Sequence, residues 1–182
     1  MTITTTNRLI IRSFIPDDAK GLFDYLSHPR TPCFFDEKTN TLNDAENEVA
    51  KRSLDNSQYA IALKESNLLI GHLFADNADE PDPRTYCIGW HFNKKFEGQG
   101  FASEAVDALF DVLFTKKGAR RLYAYVEDYN ISSQKLCKRL GMREEGCFKE
   151  FVSFINKDGK EVFDNTLIYS ILEKEWRSQN NK

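Results

Sequence analysis

Lys95-Phe96-Glu97-Gly98-Gln99-Gly100-Phe101-Ala102-Ser103-Glu104-Ala105 is the stretch whose reading decides the fold. Just before it, Tyr86-Cys87-Ile88-Gly89-Trp90-His91-Phe92 reads as a strand. Just after, Phe101, Ala105, Ala108, Leu109, Val112 and Leu113 share one face of a helix that runs to Phe114. Two glycines, Gly98 and Gly100, join the two elements. A strand, a glycine turn and a helix start leave backbone N–H groups ready for phosphate oxygens. An anion placed there gains about 0.3–2 kcal/mol. The stretch is not G-x-x-x-x-G-K-[ST], and no third glycine completes a dinucleotide fingerprint. Gly118 sits where the helix ends, and Leu122-Tyr123-Ala124-Tyr125-Val126 is the next strand. A strand-helix-strand crossover requires parallel neighbours.

Working outward, Leu9 to Phe14 predicts a first strand, stopped by Pro16, and Pro16-Asp17-Asp18 opens a helix carrying Leu22, Phe23 and Leu26. A second, polar helix is expected with Asn43 as cap and Glu46 three residues on. Tyr59–Leu63 and Leu68–Phe74 read as a hairpin-like pair. Ser132 to Leu140 predicts a short helix ended by Gly141, followed by strands over Cys147–Ile155 and Val162–Leu172. The expectation is an α+β (mixed α/β) fold: a central, twisted, mostly antiparallel sheet of about seven strands, helices on both faces, and the parallel crossover in its middle. One domain, 1–182, is expected, with its core over about 8–176.

Composition narrows the class. At 182 residues with 41% apolar side chains, the chain can bury a full core, and its net charge of −3 gives no support to nucleic-acid binding. Cys33, Cys87, Cys137 and Cys147 are scattered without a C-x-x-C pair, so no metal site is indicated and buried free thiols are expected. The start lacks the apolar run of a signal peptide and no segment has the length of a membrane span, so a cytoplasmic protein is expected.

The glycine stretch resembles the acetyl-CoA signature of the GNAT acetyltransferases, and G-x-G-F-A-S-E-A is the form seen in the ribosomal-protein N-terminal (Rim-type) branch. Thr6 to Arg12 with Pro16-Asp17-Asp18-Ala19 resembles that branch's opening. Asn130, Ser133, Leu136, Leu140, Gly141 and Met142 match its N-x-x-S-x-x-L-x-x-x-L-G-[FM] helix, and Asp164, Tyr169 and Trp176 its close. Lys95 stands where the general signature has Gln or Arg.

The resemblance implies an acyltransferase that moves acetyl from acetyl-CoA to an amine by direct attack, without a metal. It implies that Phe92, Asn93 and Lys94 pair their backbone with the pantetheine arm, with an N–H near Phe92 as oxyanion donor. Backbone amides of Gly98, Gln99, Gly100, Phe101, Ala102 and Ser103 would hold the diphosphate, while Asn130 and Ser133 would contact the pantetheine. Asn130 reads equally as a helix cap. Many members place a tyrosine acid where this chain has Cys137, so Cys137 and Ser133 are the candidate proton donors. Glu104, in a helix's first turn, reads as structural. His72 and His91 face either the cleft or the core, and His91 is the better site candidate.

Two other functions fit the same residues: a non-catalytic acyl-CoA-binding module, and an oligomeric interaction protein suggested by Phe34, Phe35, Phe148, Phe151 and Phe154. Those phenylalanines more simply pack a sheet, with strand-like alternation in the tail, and the C-terminal strand edges could support a homodimer. The acceptor, a protein N-terminus or a small molecule, is expected against residues 29–35 and the turn at 157–160.

Overall fold

The computed structural model describes residues 1–29, 37–155 and 159–180. The expected contacts of Phe34, Phe35 and most of the 29–35 and 157–160 segments lie outside these residues. Eight strands and five α-helices follow in the order β1 (Thr2–Thr5), β2 (Leu9–Arg12), α1 (Ala19–Leu26), α2 (Leu42–Ser53), β3 (Gln58–Leu63), β4 (Leu69–Asp76), β5 (Thr85–Phe92), α3 (Phe101–Asp111), β6 (Arg121–Glu127), α4 (Ile131–Arg139), β7 (Arg143–Ile155), β8 (Glu161–Leu172) and α5 (Glu173–Asn180). Strand β1 and helix α5 add to the expected elements. β1 is a run of threonines and isoleucine without apolar alternation, and it pairs antiparallel with β2. α5 is charged and polar apart from Trp176, the one buried side chain among its described residues.

The chain forms two compact units, Met1–Ala75 with Trp90–Val112, and Asp76–Gly89 with Leu113–Lys182. In the first, β1 to β4 form an antiparallel ladder in chain order. Helices α1 and α2 cover it through Phe14, Leu22, Tyr25, Leu26, Val49 and Leu69. A short 3₁₀ turn, Pro16–Asp18, precedes α1. Asp18 fixes it, since its carboxylate accepts from the Ile15 N–H at 2.9 Å and, in a buried pair, from Arg12 Nη1 and Nη2 at 2.7 and 2.8 Å.

The cap of α2 is Thr41, not Asn43. Thr41 is extended (φ −132°, ψ 162°), its hydroxyl accepts from Asp44 N–H at 3.1 Å, and Asp44 returns a bond by accepting from Thr41 N–H at 2.8 Å. The capping box is thus Thr-x-x-Asp, one step of side chain shorter than the Glu expected. Thr41→Ala should lower stability by about 1 kcal/mol, seen as a fall of roughly 2–4 °C in Tm by calorimetry.

In the second unit the start of β5 pairs parallel with β6 (Thr85↔Arg121, Cys87↔Tyr123), as the crossover requires. β6 pairs antiparallel with β8, and β8 with β7. The helical run expected to reach Phe114 loosens into a wide π turn at Val112–Lys116, and Gly118 (φ 67°) ends it. Two packing expectations fail here. Cys147 is exposed while Cys137 is buried, and Phe148 and Phe151 stand 41% and 51% exposed instead of packing the sheet. Among the described residues β7 is an edge strand of the sheet, paired on one side with β8.

Candidate active site

The loop after β5 is built by local caps and two long-range clamps. Asn93 caps a 3₁₀ turn at Lys94–Phe96: its Oδ1 accepts from Lys95 N–H at 3.0 Å and its carbonyl from Phe96 N–H at 3.0 Å. Gly98 (φ 76°) and Gly100 (φ 80°, ψ 0°) then take left-handed conformations that disfavour any other residue. Gly100 is the N-cap of α3 and offers no side-chain oxygen, and the helix ladder begins with Glu104 N–H donating to Gly100 carbonyl at 3.1 Å. The first turn's amides have no intrahelical carbonyl to meet. The residues from Gly98 to Gly100 are exposed.

Arg8 is the first clamp. Its Nη1 donates to Gln99 carbonyl at 2.9 Å, its guanidinium lies 4.3 Å from the Phe101 ring centroid, and its Nε donates to Glu104 at 2.7 Å. Thr6 hydroxyl and Arg8 N–H donate to the other Glu104 oxygen at 2.5 and 3.0 Å. Partial burial alone would push the Glu104 carboxyl up, yet these hydrogen bonds together hold it below the ordinary glutamate range. Glu104 is a brace for the loop, and its oxygens are committed.

Asp24 of α1 is the second clamp. Lys95 Nζ donates to its two oxygens at 2.6 and 2.7 Å, and Asn93 Nδ2 donates at 2.6 Å. The Lys95 contact is the main reason the Asp24 carboxyl sits below its usual range. Sequence reading missed Asp24 and Arg8 as partners of this loop. Polar residues that sit one turn into a helix or ahead of a strand carry no local sign of a distant partner.

Asn93 N–H donates to Ile70 carbonyl of β4 at 2.9 Å, which ties the end of β5 to β4. Phe92 lies beside it at the end of β5, half-buried. Gly71 is what lets β4 lie against this point: a Cβ there would fall 2.6 Å from His91 carbonyl oxygen and 2.7 Å from Phe92 Cδ1.

His72 and His91 belong to the core. They are 1% and 6% exposed, their ring centroids are 5.7 Å apart, and both pack on Tyr25. His72 Nδ1 shares a 2.9 Å hydrogen bond with Tyr25 hydroxyl. Burial holds the His72 imidazole well below its ordinary pKa and therefore neutral.

Asn130, Ser133 and Cys137 belong to the second unit. Asn130 caps α4: Oδ1 accepts from Ser133 N–H at 3.2 Å and Nδ2 donates to Glu127 at 3.1 Å. Cys137 is fully buried, and burial pushes its thiol up to about 12. Among the described residues no cluster of His, Cys, Asp and Glu could hold a metal ion, and no helix is long and apolar enough to cross a membrane.

Comparison with known proteins agrees with this architecture. A family model described as an acetyltransferase (GNAT) domain matches residues 8–143. The uncharacterized N-acetyltransferase YnaD of Bacillus subtilis is 35% identical over 174 residues, covering 94% of this chain and 98% of the relative. The ribosomal-protein-serine acetyltransferase of Escherichia coli is 23% identical over 177 residues, covering 93% and 95%. The crystal structure of a GNAT-family acetyltransferase from Bacillus anthracis superimposes with a TM-score of 0.82 at 31% identity, covering 96% of this chain and 100% of that one. A helix-start glycine loop on a mixed sheet, with a family match across most of the chain, therefore places this protein in the GNAT family as an N-acetyltransferase.

Proposed function

We propose that this acyltransferase uses acetyl-CoA as donor, with residues 1–182 as one catalytic domain in the cytoplasm, and that it acetylates a protein N-terminal α-amine or a weakly basic small amine. The observation that carries the reading is the doubly clamped, left-handed Gly98–Gly100 turn at the start of α3. The loop fits a diphosphate: a Cβ at Gly98 would meet nothing within 4 Å, and one at Gly100 would meet only Arg8 Nη2 at 3.5 Å. Amides from Gly98 to Ser103 would bind the diphosphate, and Asn130 and Ser133 keep the family's assignment to the pantetheine arm. Acetyl-CoA supplies the thioester carbonyl that the amine attacks. Phe92 N–H is the proposed oxyanion donor, and holding both reactants in line supplies much of the rate.

Proton demands on the protein are light. A thiol of pKa about 8.5 leaves readily, and an α-amine of about 7.7–8.0 is roughly a tenth neutral at pH 7, against about one in a few thousand for lysine near 10.4. Cys137 is too deeply buried and too weak an acid to donate, which leaves Ser133 or solvent. Cys137→Ala should keep kcat/KM within about threefold of wild type, whereas removal of a true general acid costs about 10²–10⁴. A loss of that larger size would restore Cys137 as the acid.

An acceptor screen reading free thiol tests the whole reading. N-terminal peptides should outpace lysine and polyamines at pH 7, and the reverse order would overturn the α-amine preference.

A further inference from the structure

One buried amide sets the direction in which the chain enters the glycine turn. Asn93 is 5% exposed, and its side chain is bonded at both ends. Oδ1 accepts from Lys95 N–H at 3.0 Å, and Nδ2 donates to Asp24 at 2.6 Å. An ionised carboxylate only accepts, so Asp24 fixes which end of the amide faces α1 and which end caps the turn. With the amide reversed, Oδ1 would meet the carboxylate and Lys95 N–H would lose its acceptor.

Asp24 sits on a firm support. Its helix neighbours Leu22, Tyr25 and Leu26 are buried in the core of the first unit. Lys95 Nζ, on the same carboxylate, belongs to a side chain 68% exposed, and exposed ion pairs contribute little. Lys20, one turn earlier on α1, and Lys94 are the other cations of α1 and the 94–96 turn, and both are exposed. The Asn93 bond is the stronger arm, because it is charge-assisted and its donor is buried.

Downstream, the turn leads to the helix start. Phe96 N–H donates to Asn93 carbonyl at 3.0 Å, and Glu97 N–H to Lys94 carbonyl at 3.1 Å. The Phe96 ring meets that of Phe101, the first residue of α3, at 6.3 Å. Upstream, Asn93 N–H is bonded to Ile70 carbonyl at 2.9 Å, so the end of β5 is held without Asp24.

We propose that Asp24 is a positioning residue for the coenzyme: through the Asn93 amide it orders the turn that presents the first amides of α3 to the diphosphate. This rests on the acetyl-CoA reading above and adds the residue that tunes coenzyme affinity. Charge balance alone predicts the opposite sign. Removing a carboxylate and releasing Lys95 beside a diphosphate would tighten the binding of an anion.

Calorimetric titration of the full chain with coenzyme A tests it. The Asp24 side chain is 38% exposed, so its variants keep the core intact. Asp24→Asn should weaken binding about 5- to 30-fold, although it removes a negative charge. Asn93→Asp should weaken it at least as much, since two carboxylates then face each other. Combining the two changes exchanges donor and acceptor across the same contact at unchanged net charge. Affinity should then return to within about threefold of wild type. Lys95→Met should weaken binding less than Asp24→Asn does. In thiol-release kinetics Asp24→Asn should raise KM for acetyl-CoA and leave kcat within about twofold, because β5 keeps its own tie.

Coenzyme A bound by Asp24→Asn as tightly as by wild type, or more tightly, overturns the proposal. So does a double variant no better than the weaker single one, or a loss in Lys95→Met equal to that in Asp24→Asn. Wild-type protein that takes up no coenzyme A overturns the acetyl-CoA reading instead. Amide hydrogen exchange then decides whether Asp24 orders the turn. Lys95 and Phe96 N–H should exchange at least about tenfold faster in Asp24→Asn, and equal rates sink the idea.

Discussion

Gly100→Trp is expected to raise KM for acetyl-CoA by about 100-fold or more while the protein stays folded. The backbone at Gly100 sits at φ 80°, so any side chain costs about 1–2 kcal/mol there. That alone shifts Tm by a few degrees in a protein of this size. At its Cβ the indole meets only the mobile end of Arg8 within 4 Å, at 3.5 Å. It projects instead into the space that a diphosphate would take over the first amides of α3. Losing two charge-assisted hydrogen bonds, at about 1.5–3 kcal/mol each, gives an effect of that size or larger. Gly100→Ala separates the terms, since it carries the backbone cost without the bulk and should change KM far less. Coenzyme affinity by calorimetry that is unchanged in the tryptophan variant would remove the loop from the site.

Gly71→Val should act on the other reacting half, through the backbone of β5. Its Cβ would fall 2.6 Å from His91 carbonyl oxygen and 3.0 Å from Phe92 Cα, and neither is a flexible side-chain end that can swing aside. The strands must part. Overpacking of this type costs about 1–3 kcal/mol, so Tm should drop roughly 2–12 °C. The larger effect is on chemistry. If Phe92 N–H receives the developing oxyanion, a shift approaching 1 Å costs about 100-fold, and it should appear in kcat at saturating acetyl-CoA. A variant with lowered Tm but intact kcat would leave Gly71 as packing only and move the oxyanion donor elsewhere.

The glycine loop was legible because its signals are local. Gly98 and Gly100 mark left-handed backbone, the apolar face from Phe101 to Leu113 marks a helix, and the two strands flanking them follow from β-branched and aromatic runs. β1 escaped because threonines favour strands without displaying an inside and an outside. α5 escaped because one buried tryptophan makes no stripe. Thr41 was passed over for Asn43 because Asp44 is a shorter partner than the glutamate the pattern favours.

The site divides along the same line. By itself the sequence determined the fold class, the parallel crossover and the place of the glycine turn, since each is written in residues a few positions apart. Tertiary structure alone decided what holds that turn. Arg8 reaches Glu104 across 96 positions and Asp24 reaches Lys95 across 71. It also buried Cys137 and left Phe148 and Phe151 exposed. Periodicity reports how a segment lies on its neighbour, but a polar side chain's partner is chosen by which segments the finished topology brings together.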